Sequence, residues 1–177
     1  MDICYEYMVK KEKNALDWVK IAGITVLALA LSVVCAILFL SLDPLFTGVI
    51  LVLFVGVWWG YIQLVRGLNI EYEYTITNNE LDIDVIKGKT RRKHITTINL
   101  KKADFVGDRD NAATREAMSA SGEPSKKYTF AADEKAGRVF VTDVISKKDN
   151  SKIRVYFSVD EKLAEYIRLA NPKAYKG

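Results

Sequence analysis

Between Lys20 and Arg66 the chain carries a single charged residue, Asp43, across 45 positions. Residues 21–42 contain no charge, and at about 1.5 Å per residue they make roughly 33 Å of helix, enough for a hydrocarbon core of about 30 Å. Residues 45–65 form a second uncharged run. Asp43 and Pro44 lie between the two, a charge and a helix breaker that leave room only for a tight turn. The pattern predicts a hairpin of two membrane spans. Asn14, with Asp17 three residues on, is placed to cap the first helix before it enters the bilayer. A buried helical pair in a soluble fold gives similar hydropathy, but two uncharged runs of this length in 177 residues favour lipid.

After Arg66 the pattern changes to strict alternation. Ile70, Tyr72, Tyr74 and Ile76 point to one face and Glu71, Glu73, Thr75 and Thr77 to the other, the signature of a half-buried strand. Asn78 and Asn79 suit a type I′ turn, after which Leu81, Ile83 and Val85 alternate with Glu80, Asp82 and Asp84. Lys87, Gly88 and Lys89 lead into a third strand that runs from Thr90 through Ile95 to Leu100. Residues 103–106, 128–131, 138–144 and 153–159 supply four more, with turn signals at Glu134–Gly137 and Lys147–Asn150. Ser158 and Glu161 have the spacing of a capping box, and Leu163, Ile167 and Ala170 recur at helical intervals before Asn171 and Pro172. The reading is α+β: a transmembrane hairpin, seven antiparallel strands and one closing helix.

Composition adds little until it is divided along the chain. Half of the residues are hydrophobic and 27% are charged, ordinary for a soluble domain, yet much of the apolar content sits in the two runs. Lys10, Lys11, Lys13 and Lys20 precede the first run, Arg66 follows the second, and the turn between them has no cation. By the positive-inside rule both termini are cytoplasmic, with Trp18 and Tyr61 at the headgroup boundary of a cell-membrane protein. Ala28-Leu29-Ala30 resembles a signal-peptidase site, but the apolar run continues past it, and Cys35 follows Val34 where a lipoprotein needs a small residue. With the turn at Asp43 and Pro44, Ser32 falls level with Gly56 and Ala28 with Gly60, so small residues are expected to pack within the hairpin. Contact of Gly56 and Gly60 with another protein's helix is the alternative.

Tyr72-Glu73-Tyr74-Thr75-Ile76-Thr77-Asn78-Asn79-Glu80-Leu81-Asp82-Ile83, followed by Gly88, the basic residues Arg91 to Lys93 and Ile98-Asn99-Leu100, resembles the opening hairpins of bacterial proteins with a pleckstrin-homology-like (PH-like) domain. With Tyr5, Glu6 and Tyr7 at the start, the layout is similar to a family of small two-helix bacterial membrane proteins of unknown function. The resemblance implies a PH-like bent sheet or barrel plugged by its last helix, and is silent on ligand. The implied division is a cytoplasmic segment 1–20, a hairpin 21–65 with spans 21–42 and 45–65, a PH-like domain 68–171 and a tail 172–177.

Few residues suggest chemistry. His94, the sole histidine, lies among cations that disfavour its charged form, and a carboxylate on the neighbouring strand would satisfy it. Cys4 and Cys35 have no second cysteine nearby, so neither a zinc pair nor a redox motif is expected. Asp108-Arg109-Asp110-Asn111 begins like a calcium loop, but Ala113 and Ser119 occupy the positions that need Gly and Glu. No phosphate loop or nucleophile elbow is present; the expectation is a non-enzyme without cofactor. Lys87, Lys89, Arg91, Arg92 and Lys93 put five cations into seven residues. They suit anionic lipid or a partner, although a two-residue turn at Lys87 and Gly88 would put Asp84 opposite Arg91 and Asp82 opposite Lys93 and neutralise them within the sheet. From Arg66 onward 22 Lys and Arg face 17 Asp and Glu, a net of +5, too mild for nucleic acid. Residues 107–126, rich in Ala, Ser, Asp and Gly, form a long connection, with a short helix over 112–118 and a partner contact as its candidate role. The expected function is a membrane-anchored adaptor binding an unknown protein or, less favoured, a lipid headgroup; the alternative is a structural subunit of a larger membrane complex.

Overall fold

A computed structural model describes residues 4–132, 138–145 and 151–176, and the turn signals at Glu134–Gly137 and Lys147–Asn150 lie outside them. The chain divides into a helical unit, residues 13–70 with 87–91, and a sheet unit made of residues 1–12, 71–86 and 92–177.

In the helical unit, α1 spans Ala15–Ser41 and α2 spans Thr47–Gly67. α1 begins six residues ahead of the uncharged run because Asp17 Oδ2 accepts the Asn14 N–H at 3.3 Å, the expected cap. Asp43 Oδ1 accepts the Leu45 N–H at 3.0 Å and starts a 3₁₀ turn over Pro44–Phe46, so α2 begins at Thr47 rather than at residue 45. Both helices are long and apolar enough to cross a membrane, and only 11% and 6% of their most apolar stretches are buried. A soluble core helix would be mostly enclosed. Among the sheltered positions of α1, Ile21, Thr25, Ala28, Ser32 and Cys35 recur at spacings of four and three, the seam of one helix on another. Ile50, Val57 and Tyr61 face them from α2. Thr25 and Ser32 donate their hydroxyls to Ile21 and Ala28 carbonyls of their own helix at 2.8 Å, so neither leaves a polar group unsatisfied.

The sheet unit contains eight strands among the described residues. β1 (Cys4–Lys10), β2 (Ile70–Thr77), β3 (Glu80–Lys87) and β4 (Arg91–Asn99) form one sheet in that order. The second has the order β5-β7-β8-β6, with β5 at Val106–Asp108, β6 at Lys126–Thr129, β7 at Arg138–Ile145 and β8 at Lys152–Val159. Two short helices complete it, α3 (Ala112–Ala120) and α4 (Glu161–Ala170).

Several expectations change. Residues 4–10 are not a separate segment: β1 pairs antiparallel with β2 from Cys4 opposite Thr77 to Lys10 opposite Glu71. The all-antiparallel pattern fails at β6, which runs parallel to β8 from Lys126 opposite Ile153. The strand expected at 103–106 starts at Val106, because Leu100–Lys102 close into a 3₁₀ turn. Only Asn78 of the first hairpin turn takes a positive φ, 54°, so that turn is not type I′. α4 is capped by Asp160, whose Oδ1 accepts the Leu163 N–H at 2.8 Å, not by Ser158. The supposed tail is part of the fold. Lys176 N donates to Val106 O and Val106 N to Ala174 O, both at 2.9 Å, and a Cβ on Gly107 would stand 2.6 Å from Lys176 O, which reserves that position for glycine.

The core lies between the sheets. Tyr74, Ile83, Phe140, Phe157, Leu163 and Ile167 are fully enclosed. Tyr74 Oη donates to Phe130 O at 2.6 Å, and burial pushes its phenol well above the ordinary range. Asn171 Nδ2 donates to Leu100 O at 2.8 Å and fixes the end of α4 to the 3₁₀ turn.

Candidate functional site

The five cations of the basic run divide into two settings. Lys87, Lys89 and Arg91 belong to the helical unit. Gly88 and Lys89 take consecutive positive φ values of 61° and 63°, and the chain turns over three residues rather than two. Gly88 N–H donates to Asn69 O at 2.9 Å, and a Cβ at Gly88 would lie 3.2 Å from Arg66 O, so the turn is seated on the end of α2. Lys87, Lys89 and Arg91 are exposed and have no ion-pair partner among the described residues. Lys13, Lys20 and Arg66 lie at the same end of the hairpin, whereas Asp43 marks the other.

Arg92 and Lys93 belong to the sheet unit. The longer turn shifts the register, so the expected pairs of Asp84 with Arg91 and Asp82 with Lys93 do not form. Instead Arg92 donates to Glu73 and lies 4.0 Å from Asp84. His94 Nδ1 meets Asp84 Oδ1 at 2.8 Å, the carboxylate partner that its position anticipates, and Thr97 takes Asp82. Lys93 is exposed and unpaired among the described residues. Glu73, expected on a solvated face, is only 2% exposed. Burial and then a hydrogen bond with Glu6 raise its carboxyl above the usual range, and the Arg92 charge opposes them.

Of the proposed packing residues, Ala28 and Ser32 lie on the hairpin seam, but Gly56 and Gly60 do not oppose them closely: a Cβ at either would meet nothing within 4 Å. On α2 the sheltered positions here are Val57, Gly60 and Tyr61, whereas Gly56 is exposed, and Tyr61 Oη approaches Thr25 Oγ1 at 3.4 Å. Cys4 is an exposed free thiol; Cys35 is a free thiol buried in the seam. Asp108 Oδ1 accepts the Asp110 N–H at 3.0 Å in a local turn.

Sequence spacing missed a buried charge network. Arg154 Nε and Nη2 donate to Asp143 Oδ1 and Oδ2 at 2.6 and 2.8 Å, and Ser121 donates to Oδ2 at 2.7 Å. Lys152 Nζ lies 3.5 Å from the same oxygen. Arg154 Nη2 also reaches Met118 O and Gly122 O at 3.1 Å, which ties the segment after α3 to β8. Burial raises the Asp143 carboxyl, but the Arg154 and Ser121 bonds outweigh it and hold it below the usual range. The cross-strand register, Asp143 opposite Arg154, is the signal that identifies the pair once β7 and β8 are aligned. Asp143 and Lys152 line a groove of about 710 Å³ with Thr97, Asn99, Asp104 and the exposed Ile145.

Neither a curated protein nor a solved structure matches the chain. A family match does exist and covers residues 1–176, taking in β1, the hairpin, both sheets and the closing segment. The chain belongs to the family described as Bacterial PH-like domain (DUF6106).

Proposed function

We propose that the protein is a non-enzymatic interaction module, an adaptor or scaffold, anchored in the bacterial cell membrane by two spans with its PH-like sheets and both termini in the cytoplasm. The observation that carries this reading is the pairing of β1 with β2. One strand precedes the hairpin and the other follows it, so a chain that enters the bilayer after β1 must return to the same side before β2. The outward apolar surface of α1 and α2 suits lipid, and the cations at the hairpin's open end select the cytoplasmic side. Tethering raises the local concentration of any membrane-borne partner, so weak intrinsic affinity suffices for binding.

A second reading, a structural subunit of a larger membrane complex, is favoured by the open space beside Gly56 and Gly60. Purification of the full chain in mild detergent after cross-linking in cells separates the two. An adaptor keeps its stoichiometric protein partner when Gly56 and Gly60 are both replaced by Leu; a subunit loses it. A chain recovered alone under both conditions contradicts both readings.

A further inference from the structure

We propose that the turn Lys87–Arg91 is a built-in contact for anionic lipid headgroups, formed at the base of the hairpin. The inference rests on the membrane-anchored reading and assigns a partner to the basic run. Three observations within the helical unit carry it. The turn is seated on the end of α2 through the Gly88 N–H bond to Asn69 O and the close approach to Arg66 O. Lys87, Lys89 and Arg91 extend from it with no ion-pair partner among the described residues. Directly before this end, α2 exposes Ile62 and Leu64, side chains that hydrocarbon covers when the helix spans.

Apolar side chains giving way, within one helical turn, to cations with no ion-pair partner among the described residues match the change from acyl chain to headgroup. Long Lys and Arg stems reach along that boundary while their charges stay wet. Arg66 and Lys13 extend the basic zone at the same end of the helix pair, where Lys20 pairs with Asp17 at 3.7 Å, whereas the sequence places no cation between Lys20 and Arg66 on either side of Asp43. The electrostatic attraction acts within a Debye length, about 8 Å at physiological salt, so cations held at the helix end are within range of the phosphates. Arg92 is excluded from the contact because Glu73 and Asp84 hold it on the sheet. The basic run is therefore divided: its turn serves the lipid and Arg92 serves the fold.

The test uses the full chain with Cys4→Ser, Cys35→Ala and Thr90→Cys, a fluorophore on residue 90, reconstituted in phosphatidylcholine vesicles that contain brominated phosphatidylglycerol or, separately, the same fraction of brominated phosphatidylcholine. The expected result is that the anionic quencher acts at least about twice as strongly as the neutral one, as accumulation beside three cations predicts, and that the ratio falls toward one in 0.5 M salt. Replacing Lys87, Lys89 and Arg91 with Gln removes the preference; replacing Arg92 with Gln leaves it. Equal quenching by the two lipids, or a preference that survives the triple replacement, overturns the inference. Absence of quenching by either lipid in a chain that resists carbonate extraction overturns it while leaving the anchor intact. Release by carbonate overturns the anchored reading itself.

Discussion

Asp143→Ala is expected to destabilise the sheet unit by about 3–5 kcal/mol, the scale for leaving one partner of a buried ion pair uncompensated. Arg154 is 5% exposed and would lose both carboxylate oxygens, keeping its bonds to the Met118 and Gly122 carbonyls, which carry no full charge to balance it. Because domains are commonly stable by only about 5–15 kcal/mol, this is a large fraction of the whole. Arg154→Met should cost less, since Asp143 keeps Ser121 and Lys152. All three tryptophans lie in α1 and α2, so the measurement is hydrogen exchange of β7 and β8 in the reconstituted chain rather than tryptophan emission. A change below about 1 kcal/mol for Asp143→Ala would place the pair among weak surface ion pairs. The pH dependence has a definite sign. A carboxyl held below its ordinary value stabilises the fold above the unfolded pKa, and that contribution is lost as pH falls through the folded value. The wild type should therefore lose this stabilisation on acidification and the Ala variant should not. Glu73, whose carboxyl is raised, works in the opposite direction and is common to both chains.

Deleting residues 1–12 is expected to weaken the sheet unit by about 2.5–6 kcal/mol, from a phenol–carboxylate hydrogen bond of roughly 1.5–3 kcal/mol and two aromatic contacts of roughly 0.5–1.5 kcal/mol each. Tyr5 Oη donates to Asp160 Oδ2 at 2.6 Å, and that bond pushes its phenol up to about 12. Its ring meets Tyr166 of α4 at 5.5 Å, and Tyr7 stacks on Tyr74 at 5.9 Å. The deletion also leaves β2 as an unpaired edge, a liability for aggregation. Exchange of the β2 amides should accelerate sharply and the α4 amides should follow. Tyr5→Phe isolates the hydroxyl and should remove the hydrogen-bond share, roughly half of the effect, confined to the start of α4 where Asp160 stands. Unchanged exchange in β2 after the deletion would mean that β1 is an ornament of the sheet rather than a member.

The hairpin was legible because the absence of charge over two long runs is a strong and local signal. The alternation of Tyr72 to Ile76 and of Leu81 to Val85 was legible for the same reason. β1 carries alternation too, with Tyr5, Tyr7 and Val9 on the sheltered face, but its partner lies beyond the hairpin, and a short segment before an apolar run reads as a leader to the anchor. The basic run was visible as composition. Its division was not, because a turn of three residues instead of two moved Arg92 and His94 onto the acidic face and left Lys87, Lys89 and Arg91 without an ion-pair partner among the described residues. Asp143 and Arg154 look like ordinary polar strand positions until β7 and β8 are paired. Spacing offers the G-x-x-x-G step at Gly56 and Gly60 as a close-approach face, but a Cβ at either meets nothing within 4 Å; which face meets a neighbour depends on the rotation of α2, and spacing alone carries no such angle.

The most direct test of the anchored topology is the side from which two thiols react with a membrane-impermeant maleimide, using the full chain with Cys35→Ala. Native Cys4 on β1 is exposed, and Leu42→Cys marks the hairpin turn. Cys4 should label in inverted vesicles and not in intact spheroplasts, and the Leu42→Cys thiol should show the reverse. Labelling of Cys4 in intact spheroplasts, or reaction of both thiols from one side, would contradict two spans that return β1 and β2 to the cytoplasm.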